Sequence, residues 1–572
     1  MINNIKSIFK ILDKYQKKNF YILIFLMFIS MILEILGITS LIPLINFLLK
    51  NDLSSYEVYI NKIYFFNSLS ELKIISLFIF FLTLFFLIKN SYLLFYYWFE
   101  SKVIYKIRYD LGVRLFKRYI NNQYFYHIEN NSSDLLSKII QQTPAYGISV
   151  MSIANIFSNL ILLFGIFTFL FIIRPIETFL IAFAISSLTI IFFFLIKKNT
   201  FTIGKKTEML EKQRIKLLQE SFGAIKEVNI YNVQNQFTTI FNRLSEDVAK
   251  TAFKQIFYIK IPKIWFEIII VFTSFSLLFF NLLYDFNNKK MLITLSIFLI
   301  SLIKILPSIS IILNSIQNIK FHENSLIGIL EDLKINKEEI KKKIQTNNVI
   351  SFKYEIKFFN INFHYPNSNK LIIKDCNITI NKNDFVCILG ETGSGKSTFV
   401  DLLTSLISPT SGKILVDNLD VAKNIYSWKD KISYVPQEPF LLDSSIKENI
   451  IFHDNKDYSD ERIIDSINKS ELKNLINKNP NGIDSVIGEK GVKISGGEKQ
   501  RISIARAIYR KSEIIVFDES TNSLDLETEK KIMSTIYKFK NIKTIIFVTH
   551  KKDFLPMFDR VFKLENSIIR EV

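Results

Sequence analysis

The chain has 572 residues, a formal net charge of +19, 49% hydrophobic residues and two cysteines. That length allows several domains. Lys and Arg are dispersed rather than interleaved with aromatics in a nucleic-acid motif, so the positive charge does not point to a nucleic-acid partner. Cys376 and Cys387 have neither metal-site spacing nor a disulfide framework, and both suit a reducing cytosol.

In chain order, residues 1–320 hold long Phe/Leu/Ile runs and the remainder alternates short strands and helices, which predicts a membrane half followed by a soluble half. Six apolar runs, near 20–49, 74–98, 148–173, 178–196, 258–284 and 291–317, reach the roughly 20 helical residues that a hydrocarbon core of about 30 Å requires. The first follows Lys6, Lys10, Lys14, Lys17 and Lys18 and has no small-residue cleavage site, as expected of a retained helix rather than a signal peptide. Basic residues concentrate at the N-terminus, in 99–147, in 197–257 and after 318. These stretches, and with them both termini, are expected on the cytoplasmic side of a multi-pass protein, with 50–73, 174–177 and 285–290 outside. The long cytoplasmic excursions predict helices that continue past the bilayer.

Charges are costly in hydrocarbon, so Glu34, Lys89, Glu267 and Lys304 are expected to face the bundle interior or a water-filled cavity. Helical rise puts Lys89 and Lys304 at similar depth, roughly 20 Å from the external ends of their spans. In a dimer, four ammonium groups would surround one cavity. The alternative is pairing with Glu34 or Glu267, or snorkelling to the interface. Lys263 reads as a snorkelling anchor. Gly37 with Pro43, and Pro307, suit kinked helices. The outer segment 51–70 reads as a short amphipathic helix or as an ordinary folded loop.

A charged linker, Lys337 to Lys343, lies within a connecting stretch 321–351, and the soluble domain is expected over 352–572. There the apolar run Phe385–Leu389 leads into Gly390-Glu391-Thr392-Gly393-Ser394-Gly395-Lys396-Ser397, followed by a helical pattern from Thr398. A strand, a glycine-rich turn and a helix N-terminus make a phosphate cradle: backbone N–H groups close on the anion, Lys396 reaches the β/γ-phosphates and the Ser397 hydroxyl suits Mg²⁺. Ile514–Phe517 is an apolar strand ending in Asp518-Glu519, a pair suited to a Mg²⁺ ligand followed by a general base. Ile545–Val548 ends at Thr549-His550, and on the same sheet edge His550 would contact a γ-phosphate. Ile494-Ser495-Gly496-Gly497-Glu498 opens another helix, either as a plain capping box or as a second anion site.

Together these parts resemble the nucleotide-binding domain of ATP-binding cassette proteins, in that family's order. The resemblance implies ATP and Mg²⁺ as ligands and α-helical six-span membrane and α/β P-loop folds. It implies that Tyr365 stacks on adenine, that Gly390 to Thr398 bind the phosphates, and that Gln437 couples to the membrane domain and approaches the metal. Ser495, Gly496 and Gly497 correspond to the family signature, and Ser523-Leu524-Asp525 to the loop crossing the dimer interface. Asp518, Glu519 and His550 correspond to the Mg²⁺ ligand, catalytic base and switch histidine. Ile494 and Glu498 depart from the commonest signature.

The order of domains resembles half-transporter exporters, implying a homodimer in which each signature closes over the partner's ATP, with segments near Tyr124–Ile128 and Ser221–Ile225 docking on the cassettes. The membrane half further resembles bacterial flippases of lipid-linked oligosaccharides, through Glu34 to Pro43, Pro262-Lys263 with Glu267, and Lys304 to Ser308. That resemblance implies an inner-membrane flippase for a polyprenyl-pyrophosphate glycan, with Lys89, Lys304 and Glu34 at the substrate cavity. Lysines stand where the flippase pattern has arginines, and Ile311 stands where a basic residue is expected, so the bidentate fork for pyrophosphate is missing. Export of another lipid or of a peptide is the competing transport reading, the peptide disfavoured because only about 20 residues precede the first span. An ATP-gated channel or transport regulator is a reading of another class.

Overall fold

The computed structural model describes residues 8–43, 71–283, 288–334, 349–366, 368, 370–454, 459–521 and 524–572. It divides into two compact units, Met1–Asn122 with His127–Lys337, and Gln123–Tyr126 with Glu338–Val572.

The first unit is helical: α1 (Lys14–Thr39), α2 (Glu71–Ile120), α3 (Thr143–Ile173), α4 (Pro175–Gly223), α5 (Gln234–Leu283), α6 (Asn288–Phe321) and α7 (Glu323–Lys334). Each of the six apolar runs falls on one of α1 to α6, although the first run extends beyond residue 43 and the outer segment 51–70 lies outside the described residues. Helices α2, α4 and α5 have 50, 49 and 50 residues. At about 1.5 Å per residue they are more than twice as long as a bilayer core requires, as their charged ends predict. Among the described residues, Lys14–Thr39, Ser76–Ile120, Ser132–Ile173 and Ser296–Phe321 are long and apolar enough to cross a membrane.

Helix α6 packs along α3, α5 along α4, and α1 against both α2 and α3. Ile38, Ile166, Leu170, Ile305, Ile309 and Leu313 interlock in one buried cluster. The pairing of α1 with α2 is antiparallel and is set by polar contacts. Gln16 Nε2 donates to Asp110 Oδ2 at 3.0 Å, the Tyr92 hydroxyl donates to the Leu26 carbonyl at 2.8 Å, and Lys89 meets Glu34 at 3.1 Å.

The second unit holds two sheets. One is antiparallel, in the order β2-β1-β4-β5, from β1 (Glu355–Phe363), β2 (Ile373–Asn381), β4 (Ser411–Val416) and β5 (Leu419–Asp420). The other has the order β10-β9-β3-β8-β7-β6, from β3 (Phe385–Leu389), β6 (Ile432–Val435), β7 (Ile514–Asp518), β8 (Thr544–Thr549), β9 (Arg560–Glu565) and β10 (Ile568–Glu571). Strands β7 and β8 are buried at every position, which is why they read as unbroken apolar runs rather than alternating ones. Phe358 and Phe399 stack in the core between the sheets. Phe125, from the short segment that belongs to this unit, lies 6.2 Å from Phe363 and from Tyr365.

Candidate functional site

Parallel pairing brings the chemistry to one sheet edge. The register aligns Leu389 with Thr549, Asp518 with Val548, and Val435 with Phe517. The C-terminal ends of β3, β8, β7 and β6 therefore deliver the glycine-rich loop, His550, Asp518-Glu519 and Gln437 side by side, where ligands bind open parallel sheets.

The loop from Gly390 closes onto α8 (Lys396–Leu403), whose N-cap is Gly395 at φ 108°. A Cβ at Gly395 would meet Ile372 Cγ2 at 2.9 Å, and one at Gly390 would meet the Leu564 carbonyl oxygen at 2.8 Å. Both positions demand glycine, the first through its left-handed backbone and the second through close approach. Lys396 is buried and donates to the carbonyls of Gly390 (2.8 Å) and Glu391 (2.9 Å). Its ammonium also lies 3.2 Å from Glu519 Oε1.

Glu519 is the hub of the site. Gln437 Nε2 donates to Glu519 Oε2 at 3.0 Å, and His550 Nδ1 lies 3.6 Å from Glu519 Oε1. The backbone of Glu519 has φ 44°, an uncommon conformation for a residue with a side chain. Strain of that kind persists where surrounding contacts hold it, and here Lys396 and Gln437 do so.

Asp518 accepts a hydrogen bond from the Tyr434 hydroxyl at 3.1 Å. Burial raises its carboxyl pKa above the usual aspartate value, and the Tyr434 bond opposes that shift. Asp401, on α8, is pushed up to about 6 by burial and then by the charge of Asp518. Neither Tyr434 nor Asp401 stands out in the sequence as part of the site, because their roles depend on how β6 and α8 are packed beside β7. Tyr365 is half-buried, and its hydroxyl lies 3.2 Å from Thr398 Oγ1.

These residues fit a nucleotide triphosphate and its metal. Ser394 Oγ is buried with no hydrogen-bond partner inside the loop, a donor left for an anion. Ser397 is exposed at the start of α8 and Asp518 stands across the sheet edge, two hard oxygen donors of the sort that hold Mg²⁺. Thr392 and Gly393 are exposed on the loop, Gly393 at φ 81°.

Ser495 and Gly496 are exposed at the N-terminus of α9 (Gly496–Tyr509), with Gly497 half-buried behind them. Ser495 Oγ accepts from the Glu498 backbone N–H and the Glu498 carboxylate accepts from the Ser495 backbone N–H, so the capping-box reading is correct as local chemistry. Gln500, one turn on, donates to the Gln437 carbonyl, a link that joins the signature helix to the loop holding Glu519 and that the sequence motif alone does not disclose. Leu524 is buried and Asp525 caps the helix that follows, while Ser523 lies outside the described residues.

In the membrane unit the pairing alternative is realised with Glu34, which bridges both lysines, Lys89 and Lys304 each lying 3.1 Å from its Oε2. Lys89 is 4% exposed and Lys304 41%. The cluster ties α1, α2 and α6, and among the described residues its two ammonium groups share one carboxylate. Glu267 does not join it: its side chain is 56% exposed and faces Lys263 at 3.9 Å, one turn away. Of the two places expected for Glu267, the interior of the bundle does not hold it, and its exposure leaves the water-filled cavity as its place.

Residues 10–308 match the family described as ABC transporter transmembrane region, and residues 373–522 match the family described as ABC transporter. An ATP-dependent lipid A-core flippase of Wigglesworthia glossinidia brevipalpis is 28% identical over 83% of this chain and 81% of its own length. The mitochondrial iron-sulfur clusters transporter ATM1 of Saccharomyces cerevisiae is 34% identical over 44% of this chain and 37% of its own. A bacterial Atm1-family ABC exporter solved with ATP bound superposes with a TM-score of 0.80 at 18% identity, covering 98% of this chain and 94% of that one. With both family matches on one chain, a cassette edge built for a triphosphate and a bundle of membrane-crossing helices, the protein is a half-transporter exporter of the ABC transporter family, a multi-pass membrane protein that hydrolyses ATP to drive transport.

Proposed function

We propose that this exporter is a flippase for a polyprenyl-pyrophosphate-linked oligosaccharide. The observation that carries the proposal is the Glu34 cluster: two ammonium groups share one carboxylate inside the membrane, and the half-exposed Lys304 presents its positive charge to an anionic headgroup. The lipid A-core flippase relative supports a lipid substrate. Lysine supplies point charges rather than a bidentate fork, so affinity rests on Coulomb attraction more than on geometry.

The protein works as a homodimer in the inner membrane with both termini in the cytoplasm. Each signature, Ser495 to Gly497, closes over the phosphates held by the partner's Lys396 and glycine-rich loop, and Tyr365 stacks on the adenine. Ser397 and Asp518 would hold Mg²⁺, with Gln437 alongside, and the ion would supply charge neutralisation at the phosphates. Glu519 takes the proton of the attacking water, and His550 donates to the terminal phosphate. Charge repulsion between products then separates the cassettes.

The test is substrate-stimulated turnover. Polyprenyl-pyrophosphate oligosaccharide added to the reconstituted protein is expected to raise ATP turnover at least about twofold, and K89Q/K304Q is expected to lower this stimulation by a larger factor than it lowers basal turnover. Equal loss of basal and stimulated turnover would make the cluster structural. Stimulation by peptide or by an unrelated lipid instead would reassign the substrate, and ion conductance with slow turnover would reassign the class.

A further inference from the structure

The first turns of α1 carry Lys14, Lys17 and Lys18, which with Tyr21, Ile22 and Phe25 line an open recess of about 540 Å³. Three cations crowd together at i, i+3 and i+4 spacing, where like charges repel. They also sit at the helix end where the macrodipole disfavours positive charge, and the first turn contains no acidic residue. Asp13, the nearest acid in sequence, is engaged by Arg114 at 3.3 Å. Among the described residues, no side chain forms an ion pair or hydrogen bond with the ammonium groups of Lys14, Lys17 or Lys18. Local energetics therefore disfavour this arrangement, on the order of tenths of a kcal/mol per pair as for other surface effects, a cost that a bound anion would relieve.

The surroundings indicate where that anion sits. Toward the C-terminal end of α1 the outer face continues as Tyr21, Phe25 and Phe28, exposed by 64%, 64% and 50%. The antiparallel contacts with α2, Gln16 to Asp110 and Leu26 to Tyr92, bring Tyr105 near the level of Lys18 and Lys102 and Trp98 to the level of Tyr21 to Phe25. Lys102 Nζ lies 4.8 Å from the Trp98 ring centroid, and Trp98 and Tyr105 are exposed. Aromatic rings with polar edges beside lysines, and bare apolar side chains on one flank, mark the boundary between headgroups and hydrocarbon.

We propose that Lys14, Lys17 and Lys18 form a binding site for the phosphate headgroup of an anionic phospholipid. The lipid belongs to the leaflet at the N-terminal end of α1, and its acyl chains run along Tyr21, Phe25 and Phe28. The site is distinct from the Glu34 cluster, 16 residues and roughly 24 Å farther along the helix, and it does not rest on the substrate assignment. Charge complementarity selects the lipid: three uncompensated ammonium groups favour phosphatidylglycerol over zwitterionic phosphatidylcholine, by roughly fivefold for each lysine at an anionic surface.

Native mass spectrometry of the full-length protein in detergent, with palmitoyl-oleoyl phosphatidylglycerol or phosphatidylcholine added, tests this. The wild type is expected to retain phosphatidylglycerol preferentially, K14Q/K17Q/K18Q to lose about tenfold or more of that retention, and K14R/K17R/K18R to keep it. K226Q/K250Q/K254Q, which removes the same charge from other exposed lysines, should bind as the wild type does. Photo-crosslinking with a phosphatidylglycerol probe on the wild type provides an answer that needs no variant to fold, and should label residues 14–28. Unchanged retention in the glutamine variant, equal loss in the control, or labelling elsewhere would overturn the proposal. So would displacement by millimolar inorganic phosphate, which would mark a free-phosphate site, or dissociation of a dimer by K14Q/K17Q/K18Q, which would mean that a second copy covers the lysines.

Discussion

Glu519→Gln lowers ATP turnover by about 100-fold or more, the scale of losing a positioned general base, while nucleotide binding persists. The geometry explains why both halves of that result belong together. Lys396, Gln437 and His550 all approach the Glu519 carboxylate, which lies at the end of β7 next to the Asp518 carboxylate. Glutamine keeps the size and can still face Lys396 and Gln437 through its amide, so the loop keeps its shape. It has no lone negative charge to take a proton from water. It also no longer holds the Lys396 ammonium by charge, so a non-hydrolysable triphosphate should bind the variant at least as tightly as the wild type. Turnover within threefold or so of wild type would remove Glu519 from the role of base, and weakened analogue binding would mean that the carboxylate is needed to build the phosphate site itself.

Glu34→Leu destabilises the membrane unit by about 3 kcal/mol, the usual consequence of removing one member of a buried ion cluster. The effect comes from what is left behind. Lys89 is 4% exposed, has Glu34 Oε2 at 3.1 Å and lies 4.7 Å from the Phe86 ring centroid, which is a weak substitute for a carboxylate. Lys304 is far more exposed and loses less. Adding Lys89→Leu to the Glu34→Leu chain should therefore recover more than half of the loss in thermal stability, whereas adding Lys304→Leu should recover little. Equal recovery by the two second-site changes would show that the lysines share one environment, contrary to their exposures.

Much of the nucleotide site is legible before any fold is known, because its parts are local: an apolar run, a glycine turn and a helix start are contiguous from Phe385 to Leu403. The carboxylate pair and His550 are legible for the same reason, each at the end of an unbroken apolar strand. What the sequence does not disclose is lateral. Tyr434 reaches Asp518, and Gln500 reaches Gln437, only because β6 lies beside β7 and α9 packs near its end. The pairing of Lys396 with Glu519 likewise requires β3 and β7 on the two sides of β8. In the membrane unit, hydrophobicity marks the helices but not which way a charge on them points. Glu34 and Glu267 are alike in the sequence. Packing of α1 between its neighbours buries Glu34 with two lysines, while on the exposed face of α5 Glu267 meets, among the described residues, Lys263. Helix rotation decides that difference, and a nearly uniform apolar surface carries little information about rotation.

The most direct measurement is ATP-dependent translocation of a fluorescent polyprenyl-pyrophosphate oligosaccharide in proteoliposomes, with the Glu519→Gln protein as the blank. Movement in the wild type that requires ATP and is absent in the variant is the predicted result. Ordinary ATP hydrolysis with no movement of this lipid would contradict the flippase assignment.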